Sequence, residues 1–203
     1  MAEPTQQHET SRGPGRPSVA DERRTAIIDA YIELVVENGT PDVTIGNIAT
    51  RAGVARTAIS HFVGDRDDLR ITTIEVLGRR YESTVRSVIG LDPSPHEVVD
   101  YFFSPAWSTG RSTDDRAFDI LQATAPRNPT TRHAVRNAYA ALIDAFAASL
   151  ERHTAADADR CRGIAYSIVC LVETNTVLQD LGFSDHDRTS AADAAHALVD
   201  AVG

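Results

Sequence analysis

The stretch Val43–Leu69, VTIGNIATRAGVARTAISHFVGDRDDL, decides the fold of this 203-residue chain. Small Ala49 precedes Gly53 by four residues, and apolar residues recur where two crossed helices must interlock. Glycine permits the positive φ of a tight turn, and a small residue lets the second helix cross close to the first. The interlocking apolar positions are Ile48, Ala52, Val54, Ile59 and Phe62. The pattern favours a helix-turn-helix over a helical hairpin with no role in nucleic-acid binding.

Polar side chains of this stretch are candidates for DNA contact. On the helix predicted from Ala55 to about Phe62, Arg56 can donate two hydrogen bonds to a guanine, and Thr57 can touch a base edge or a thymine methyl. The residues expected to hold phosphate are Thr44, Ser60, His61 and Arg66, and Thr44 also offers a hydroxyl to cap the helix that begins at Ile45. For His61, a capping or packing role stays open as the alternative.

Helical patterning continues on both sides of this stretch, and no strand alternation of any length is present. An amphipathic helix runs from Asp21 to Asn38 and stops at Gly39. Further helices are predicted near 67–86, 95–104, 114–124, 129–153, 157–181 and 188–202. The chain is therefore predicted to be all-α. We expect a flexible arm over 1–20, a helix-turn-helix DNA-binding head over 21–66 and a larger helical domain for ligand binding and dimerisation over 67–203.

From residue 27 to residue 69 the sequence resembles, without a gap, the TetR (tetracycline repressor) family of bacterial regulators. The matching residues are Ile27, Ala30, Leu34, Gly39, Thr44, Ile45, Ile48, Ala49, Ala52, Gly53, Val54, Ile59, His61, Phe62, Arg66 and Leu69. The resemblance implies a repressor that binds a palindromic operator in double-stranded DNA as a homodimer and is released by a small molecule. A DNA-binding dimer that answers to a protein partner, with no small-molecule inducer, is the alternative.

Three positions depart from the family pattern. The family often has Tyr at the position of Ser60, a polar residue at Gly46, and Ser or Thr at Ala55. Each position touches a DNA contact, so we expect an altered sequence preference or a weaker affinity rather than a loss of binding.

The last two predicted helices, near 157–181 and 188–202, carry apolar residues on more than one face. Each therefore needs a packing partner on two sides. A four-helix dimer interface is predicted from Ile164, Ile168, Leu171, Ala195, Leu198 and Val202. An effector pocket, which the resemblance implies in this domain, is predicted from Tyr81, Tyr101, Trp107, Phe118, Gln122, Glu173 and Asn175. An inward Glu173 would prefer a cationic or hydrogen-bond-donating ligand, because a buried carboxylate without a partner is costly.

The formal charge of -9 hides an uneven distribution. Residues 43–66 hold three arginines and one acid, a balance of +2, and form the only basic window. In the arm, Arg12 and Arg16 flank Gly and Pro residues in a pattern similar to minor-groove hooks, although such patterns also occur by chance in flexible tails.

Several classes of protein and site are disfavoured. The chain has no nucleophile elbow, metal-ligand motif or glycine-rich phosphate loop, so we expect neither an enzyme nor a cofactor or metal site. No apolar run is long enough for a membrane span, and residues 1–20 lack a secretory signal, so we expect a cytoplasmic protein. The two cysteines, Cys161 and Cys170, fall on opposite sides of one helix, which indicates two buried thiols rather than a disulfide.

Overall fold

A computed structural model describes residues 18–89 and 92–202, except for the side chains of residues 85, 86, 88, 89, 108 and 109. Within these ranges the protein forms helices and no strand. The α-helices are α1 (Val19–Asn38), α2 (Ile45–Ala52), α3 (Arg56–Val63), α4 (Arg66–Ile89), α5 (Pro95–Phe102), α6 (Pro105–Thr109), α7 (Thr113–Gln122), α8 (Pro129–His153), α9 (Ala158–Asp180) and α10 (Asp185–Asp200). A short 3-10 helix (Ala125–Arg127) precedes α8. The predicted all-α fold is confirmed. The arm with Arg12 and Arg16 lies outside the described residues.

Local signals set the helix ends. Ser18 and Asp21 form a reciprocal cap at the start of α1, and Gly39 ends that helix with a φ of 63°. The sequence pattern predicts that α1 begins at Asp21, which is three residues after its N-cap residue, Ser18. Pro105 follows the end of the helix predicted near 95–104. It begins the short helix α6, which the sequence does not predict, because the Ser104 side chain accepts a hydrogen bond from the Trp107 N–H and proline suits the first helical turn.

One hydrophobic core joins the predicted head to the domain that follows it. Buried residues of α1, α2 and α3, among them Ile27 and Ile59, share this core with Leu69 on α4. Leu121 on α7 and Ala134 on α8 belong to the same core. The head therefore packs against the rest of the protein through a core that includes α4, α7 and the first turns of α8.

A second core fills the other end of the protein. It joins α5 to α9, α10 and the C-terminal half of α8, with Val99, Leu150, Ile168 and Ala195 almost fully buried. Tyr139, near the middle of α8, packs against both cores. The long helices α4 and α8 thus connect the small N-terminal unit to the larger helical unit.

Among the described residues, no helix is long and apolar enough to cross a membrane. In the same ranges, no group of three or more His, Cys, Asp or Glu side chains is arranged to hold a metal ion.

Candidate nucleic-acid interface

The turn between α2 and α3 fixes the angle at which α3 leaves the head. Gly53 adopts a φ of 66°, and the Val54 N–H donates to the Ala49 carbonyl across 3.0 Å. Ile48 and Ile59 meet in the core beneath the turn, each 1% exposed. This is the helix-turn-helix that the sequence predicts, with the small residue and the turn glycine in their expected roles.

The α3 helix presents a polar outer surface. An α-helix with its side chains is about 10–12 Å in diameter, which fits the width of the major groove of DNA. All four of the predicted contact residues on this helix are exposed: Arg56, Thr57, Ser60 and His61. The structure therefore brings the predicted base-reading and phosphate-holding side chains to one surface.

Two departures from the family pattern change the hydrogen-bonding capacity of α3. The Ser60 hydroxyl donates to the Thr57 carbonyl across 3.1 Å, so its hydrogen is used within the helix and its oxygen can only accept. A phosphate contact requires a donor. At the start of the helix, Ala55 makes no side-chain cap, as expected for an alanine.

The predicted phosphate contacts at the starts of α2 and α4 differ. The Thr44 oxygen caps α2 by accepting a hydrogen bond from the Asn47 N–H across 3.1 Å, which leaves the hydroxyl hydrogen available. At α4, the Asp65 carboxylate accepts hydrogen bonds from the N–H groups of Asp67 and Asp68 at 2.8 and 2.9 Å. A phosphate contact there would come from the exposed Arg66 guanidinium, because the helix terminus already holds a carboxylate.

One arginine of the basic window serves the fold. Arg51 on α2 forms ion pairs with Glu33 and Glu37 on α1, at 2.9 and 2.8 Å. The hydrogen bonds that Arg51 donates to Glu37 and Glu33 raise the pKa of its guanidinium. The charge of Arg51 is therefore matched within the head, and the two exposed arginines of the window that remain for DNA are Arg56 and Arg66.

Two arginines on α4, which the sequence analysis did not single out, connect the head to the rest of the protein. Arg80 pairs with Asp29 on α1 at 2.5 Å and with Asp114 on α7 at 3.4 Å, beside a surface cleft. Buried Arg70 pairs with Asp42, in the turn before α2, at 3.9 Å, and with Asp67 on its own helix at 3.2 Å. Asp29, Asp42 and Asp114 lie far from these arginines in the sequence, so no local pattern could have revealed the pairs that they form.

Three of the predicted pocket residues lie around one tyrosine that the sequence did not select for the pocket. The Tyr139 hydroxyl lies 2.7 Å from Gln122 Oε1 and 2.8 Å from Glu173 Oε2, and its ring meets Phe118 edge-on at 5.9 Å. A hydroxyl has one hydrogen, so it donates to one of the two oxygens at a time. Burial raises the pKa of Glu173, and the negative charge of Asp119 adds to that rise. The site is thus rich in acceptors and poor in donors.

Three other pocket residues form an aromatic cluster. Tyr81, Tyr101 and Trp107 pack around Phe102, with ring centroids between 5.1 and 6.3 Å apart. The Trp107 Nε1 donates to Thr176 Oγ1 on α9 across 3.4 Å. Burial is the main cause of the raised pKa of Tyr81, and the next is the charge of Glu173, which links this cluster to the Tyr139 site.

Asn175, the seventh predicted pocket residue, is not brought to this site. It is buried on α9, but it lies two residues beyond Glu173 and therefore about 200° around the helix. The two surface clefts described in the structure also lie elsewhere, one beside Arg80 and one at Pro95 and His153. The predicted pocket residues are packed against one another and do not line either cleft.

The predicted dimer residues need correction. Ile168, Ala195 and Val202 are buried inside the protomer, at 1%, 0% and 6% exposed, so they cannot form the surface of an interface. Ile164, Leu171 and Leu198 are half-buried against the same core. The apolar pattern marked these residues correctly as buried, but it could not distinguish an internal neighbour from a second copy of the chain.

A different surface of α9 is apolar and exposed. Tyr166 and Val177 are 59% and 57% exposed, and Leu181 follows just beyond the helix at 71%. Cys170 lies on the same side and is also exposed, so the expectation of two buried thiols is wrong for this residue and holds for Cys161 alone. The spacing of four, seven and four residues between these positions keeps them on one face.

Among known proteins, the chain is similar in sequence to transcriptional regulators that contain a helix-turn-helix. No family model matches the chain. It is 25% identical over 171 residues to the HTH-type transcriptional regulator BetI of Brucella anthropi, covering 83% of this chain and 87% of that protein. It is 35% identical over 77 residues to the BetI regulator of Brucella canis, 38% of this chain and 39% of that protein.

The fold agrees with solved structures. A TetR-family transcriptional regulator from Cytophaga hutchinsonii superposes with a TM-score of 0.73 over 93% of this chain and 98% of that one, at 12% identity. The chain therefore has the fold of TetR-family transcriptional regulators. The multidrug binding protein EbrR in complex with ethidium also shares this fold, with a TM-score of 0.70, 19% identity and coverage of 87% and 98%.

Proposed function

We propose that the protein is a TetR-type transcriptional regulator that binds an inverted-repeat operator as a homodimer and represses transcription until a small cationic molecule binds its C-terminal domain. The exposed polar surface of α3 is the observation that carries the DNA-binding part. In this proposal Arg56 and Thr57 read base edges, while Thr44, His61 and Arg66 contact phosphate. Ser60 contributes an acceptor alone unless its hydroxyl leaves Thr57.

The charge of the head agrees with contact at a small number of phosphates. The ion pairs of Arg51 with α1 leave Arg56 and Arg66 as the exposed arginines of the basic window. The logarithm of the affinity for DNA falls with the logarithm of the salt concentration, and the slope is proportional to the number of phosphates contacted. We therefore expect a shallow slope for each head. A dimer would add the contributions of two heads.

The first experiment is selection of bound duplexes from a random DNA pool at moderate salt, with the full-length protein. An enriched inverted repeat, with half-sites about one helical turn or roughly 34 Å apart, is the expected result. A folded protein that enriches no sequence would overturn the DNA-binding proposal.

A second copy of the chain is proposed to cover the exposed face of α9 formed by Tyr166, Cys170, Val177 and Leu181. Large apolar side chains exposed along one face are typical of an interface. Two symmetry-related copies of this face and of the adjacent α10 would build a four-helix contact, as the sequence predicted, but with outward residues in place of Ile168, Ala195 and Val202.

Sedimentation velocity tests this interface with two matched variants. Val177→Glu should convert the dimer to a monomer, because it places a charge in an apolar contact. Val19→Glu introduces the same change at an exposed valine on α1 and should leave the dimer intact. A monomeric wild type, or a dimeric Val177→Glu variant, would contradict the proposed interface.

The proposed effector is an organic cation. Glu173 supports this choice, since its carboxylate is largely buried and receives one hydrogen bond, from a hydroxyl that Gln122 also requires. The neighbouring aromatic cluster can add cation–π attraction. EbrR, which shares the fold, has been solved with ethidium, an organic cation.

A thermal-shift comparison tests the class of effector. Phenyltrimethylammonium should raise the melting temperature of the wild type, whereas its neutral isostere tert-butylbenzene should raise it less. The difference between the two compounds should shrink in a Glu173→Gln variant. Equal shifts for the charged and neutral compounds would count against a cationic effector, and shifts for neither would favour control by a protein partner.

A further inference from the structure

Gly46 on α2 has an unusual neighbour. A Cβ atom added at this position would lie 2.7 Å from Nη2 of Arg56 and 3.1 Å from its Cζ. The first distance is shorter than real Cβ contacts. The Arg56 guanidinium therefore rests against the α2 backbone in a space that exists because residue 46 has no side chain.

The backbone does not require glycine at this position. The glycines with positive φ among the described residues are at 39, 53, 64 and 182, so Gly46 keeps an ordinary helical conformation. Within a helix, glycine is less favourable than alanine because it loses more conformational freedom on folding. Neither turn geometry nor helix propensity explains this residue, whereas the contact with Arg56 does.

Packing, rather than a charged partner, holds the guanidinium in place. Arg56 is exposed, and no ion pair or hydrogen bond to it is described within residues 18–89 and 92–202. The nearby carbonyl of Gly46 accepts a hydrogen bond from the Thr50 hydroxyl across 2.9 Å. Since the five donors of the guanidinium are not committed within the described head, they remain free for a base.

From these contacts we infer that Gly46 is a specificity-determining residue: by leaving room for the Arg56 guanidinium on α2, it sets which base pair Arg56 reads. This inference rests on the proposed DNA-binding function. An arginine recognises guanine through two parallel hydrogen bonds, so its selectivity depends on where its planar guanidinium starts and how it is directed. Residue 46 acts through Arg56 and is a positioning residue.

A side chain at position 46 would displace the guanidinium without disrupting the fold. The atoms that a Cβ would meet are the far end of a flexible side chain, which can rotate away. The helix itself gains from the replacement of glycine by alanine. A Gly46→Ala variant should therefore fold at least as stably as the wild type and still bind DNA with a different base preference.

The experiment compares base preferences for wild type, Gly46→Ala, Arg56→Ala and the double variant, all selected from one random duplex pool. Gly78→Ala is the matched control, because its added Cβ would lie 3.6 Å from Cβ of Ala138 on α8, an ordinary contact far from Arg56. Melting temperatures are measured alongside the selections.

The inference predicts that Gly46→Ala changes the preference at one position of each half-site by about tenfold, at the same position that Arg56→Ala relaxes. In the Arg56→Ala background, Gly46→Ala should have no further effect there, and Gly78→Ala should leave the preference unchanged. If Gly46→Ala keeps the wild-type preference, or if it changes a position that Arg56→Ala does not, the inference is wrong. A wild type without any preference would instead overturn the proposed function.

Discussion

The head and the C-terminal domain use their polar side chains in opposite ways. On α3, the side chains of Arg56 and Thr57 are exposed to solvent. In the C-terminal domain, Tyr139 and Glu173 are largely enclosed, and each is bound to a side chain from another helix. Exposed groups add little to the stability of the fold, whereas enclosed ones must be paired or they destabilise it.

Because of this difference, substitutions in the two regions should affect different properties, which are DNA preference and the stability of the fold. Changes on α3 should alter DNA preference and leave stability nearly unchanged, while changes around Tyr139 should do the reverse. Four substitutions test this contrast, and the expected change in the free energy of unfolding decreases from Tyr139→Phe through Glu173→Gln and Arg80→Met to Arg56→Ala.

Tyr139→Phe should cause the largest loss. The substitution removes the hydroxyl between Gln122 Oε1 and Glu173 Oε2 and leaves two enclosed oxygens with one donor fewer. We expect a cost of about 1–3 kcal/mol and a melting temperature lowered by roughly 2–10 °C, measured by circular dichroism. An unchanged melting temperature would show that the hydroxyl is not needed for pairing.

Glu173→Gln should stabilise the protein, and the gain should depend on pH. Burial raises the pKa of Glu173 above its ordinary value of 4.5, with Asp119 adding to the rise and Tyr139 and Arg111 opposing it. Below pH 4.5 the side chain is protonated in both the folded and unfolded states, so the variant and the wild type should be similarly stable.

As the pH rises above 4.5, the unfolded wild type releases this proton before the folded one does, and the wild type loses stability. The variant lacks this loss and should be the more stable of the two at neutral pH. Urea unfolding at several pH values measures the difference. A constant difference across the pH range would mean that Glu173 ionises equally easily in both states.

Arg80→Met should have a smaller effect. Burial lowers the pKa of Arg80, but the contacts with Asp29 and Asp114 raise it more, as expected for a charge held between two carboxylates. All three side chains are at least one-third exposed, so solvent screens the pairs and we expect a loss of under about 1 kcal/mol that shrinks further at high salt. A loss that does not change with salt would point to packing by the arginine stem instead.

Arg56→Ala should have the smallest effect on stability. Its guanidinium is exposed and rests on Gly46, so the melting temperature should shift by less than about 2 °C. A large shift would mean that this side chain supports the head, which would break the contrast between the two regions.

The sequence predicted the head well because its signals are local. The bounds of α2, its Thr44 cap and the turn at Gly53 depend on residues within a few positions of one another. The polar outer surface of α3 was predicted from the same short pattern, in which Ile59 faces inward and Arg56 and Thr57 face outward.

The C-terminal domain was predicted less completely because its contacts join distant positions. Six of the seven selected aromatic and polar residues lie around Tyr139 or Phe102, but Tyr139, which connects Gln122 to Glu173, was not among those selected. An apolar residue such as Ile168 gives the same hydrophobic pattern in the sequence whether it packs against another helix of the chain or against a second copy of the chain. The sequence alone cannot make that distinction, which needs the packing of α9 against α8 and α10.

In the proposed function, α3 reads the DNA sequence and the Tyr139 site does not. A single random-pool selection, run in parallel on the wild type, Tyr139→Phe and Arg56→Ala at the same salt concentration, separates the two roles. We expect an inverted repeat for the wild type, the same repeat for Tyr139→Phe, and a repeat relaxed at one position per half-site for Arg56→Ala. No enriched repeat for the folded wild type, or a preference altered by Tyr139→Phe and kept by Arg56→Ala, would contradict these two roles.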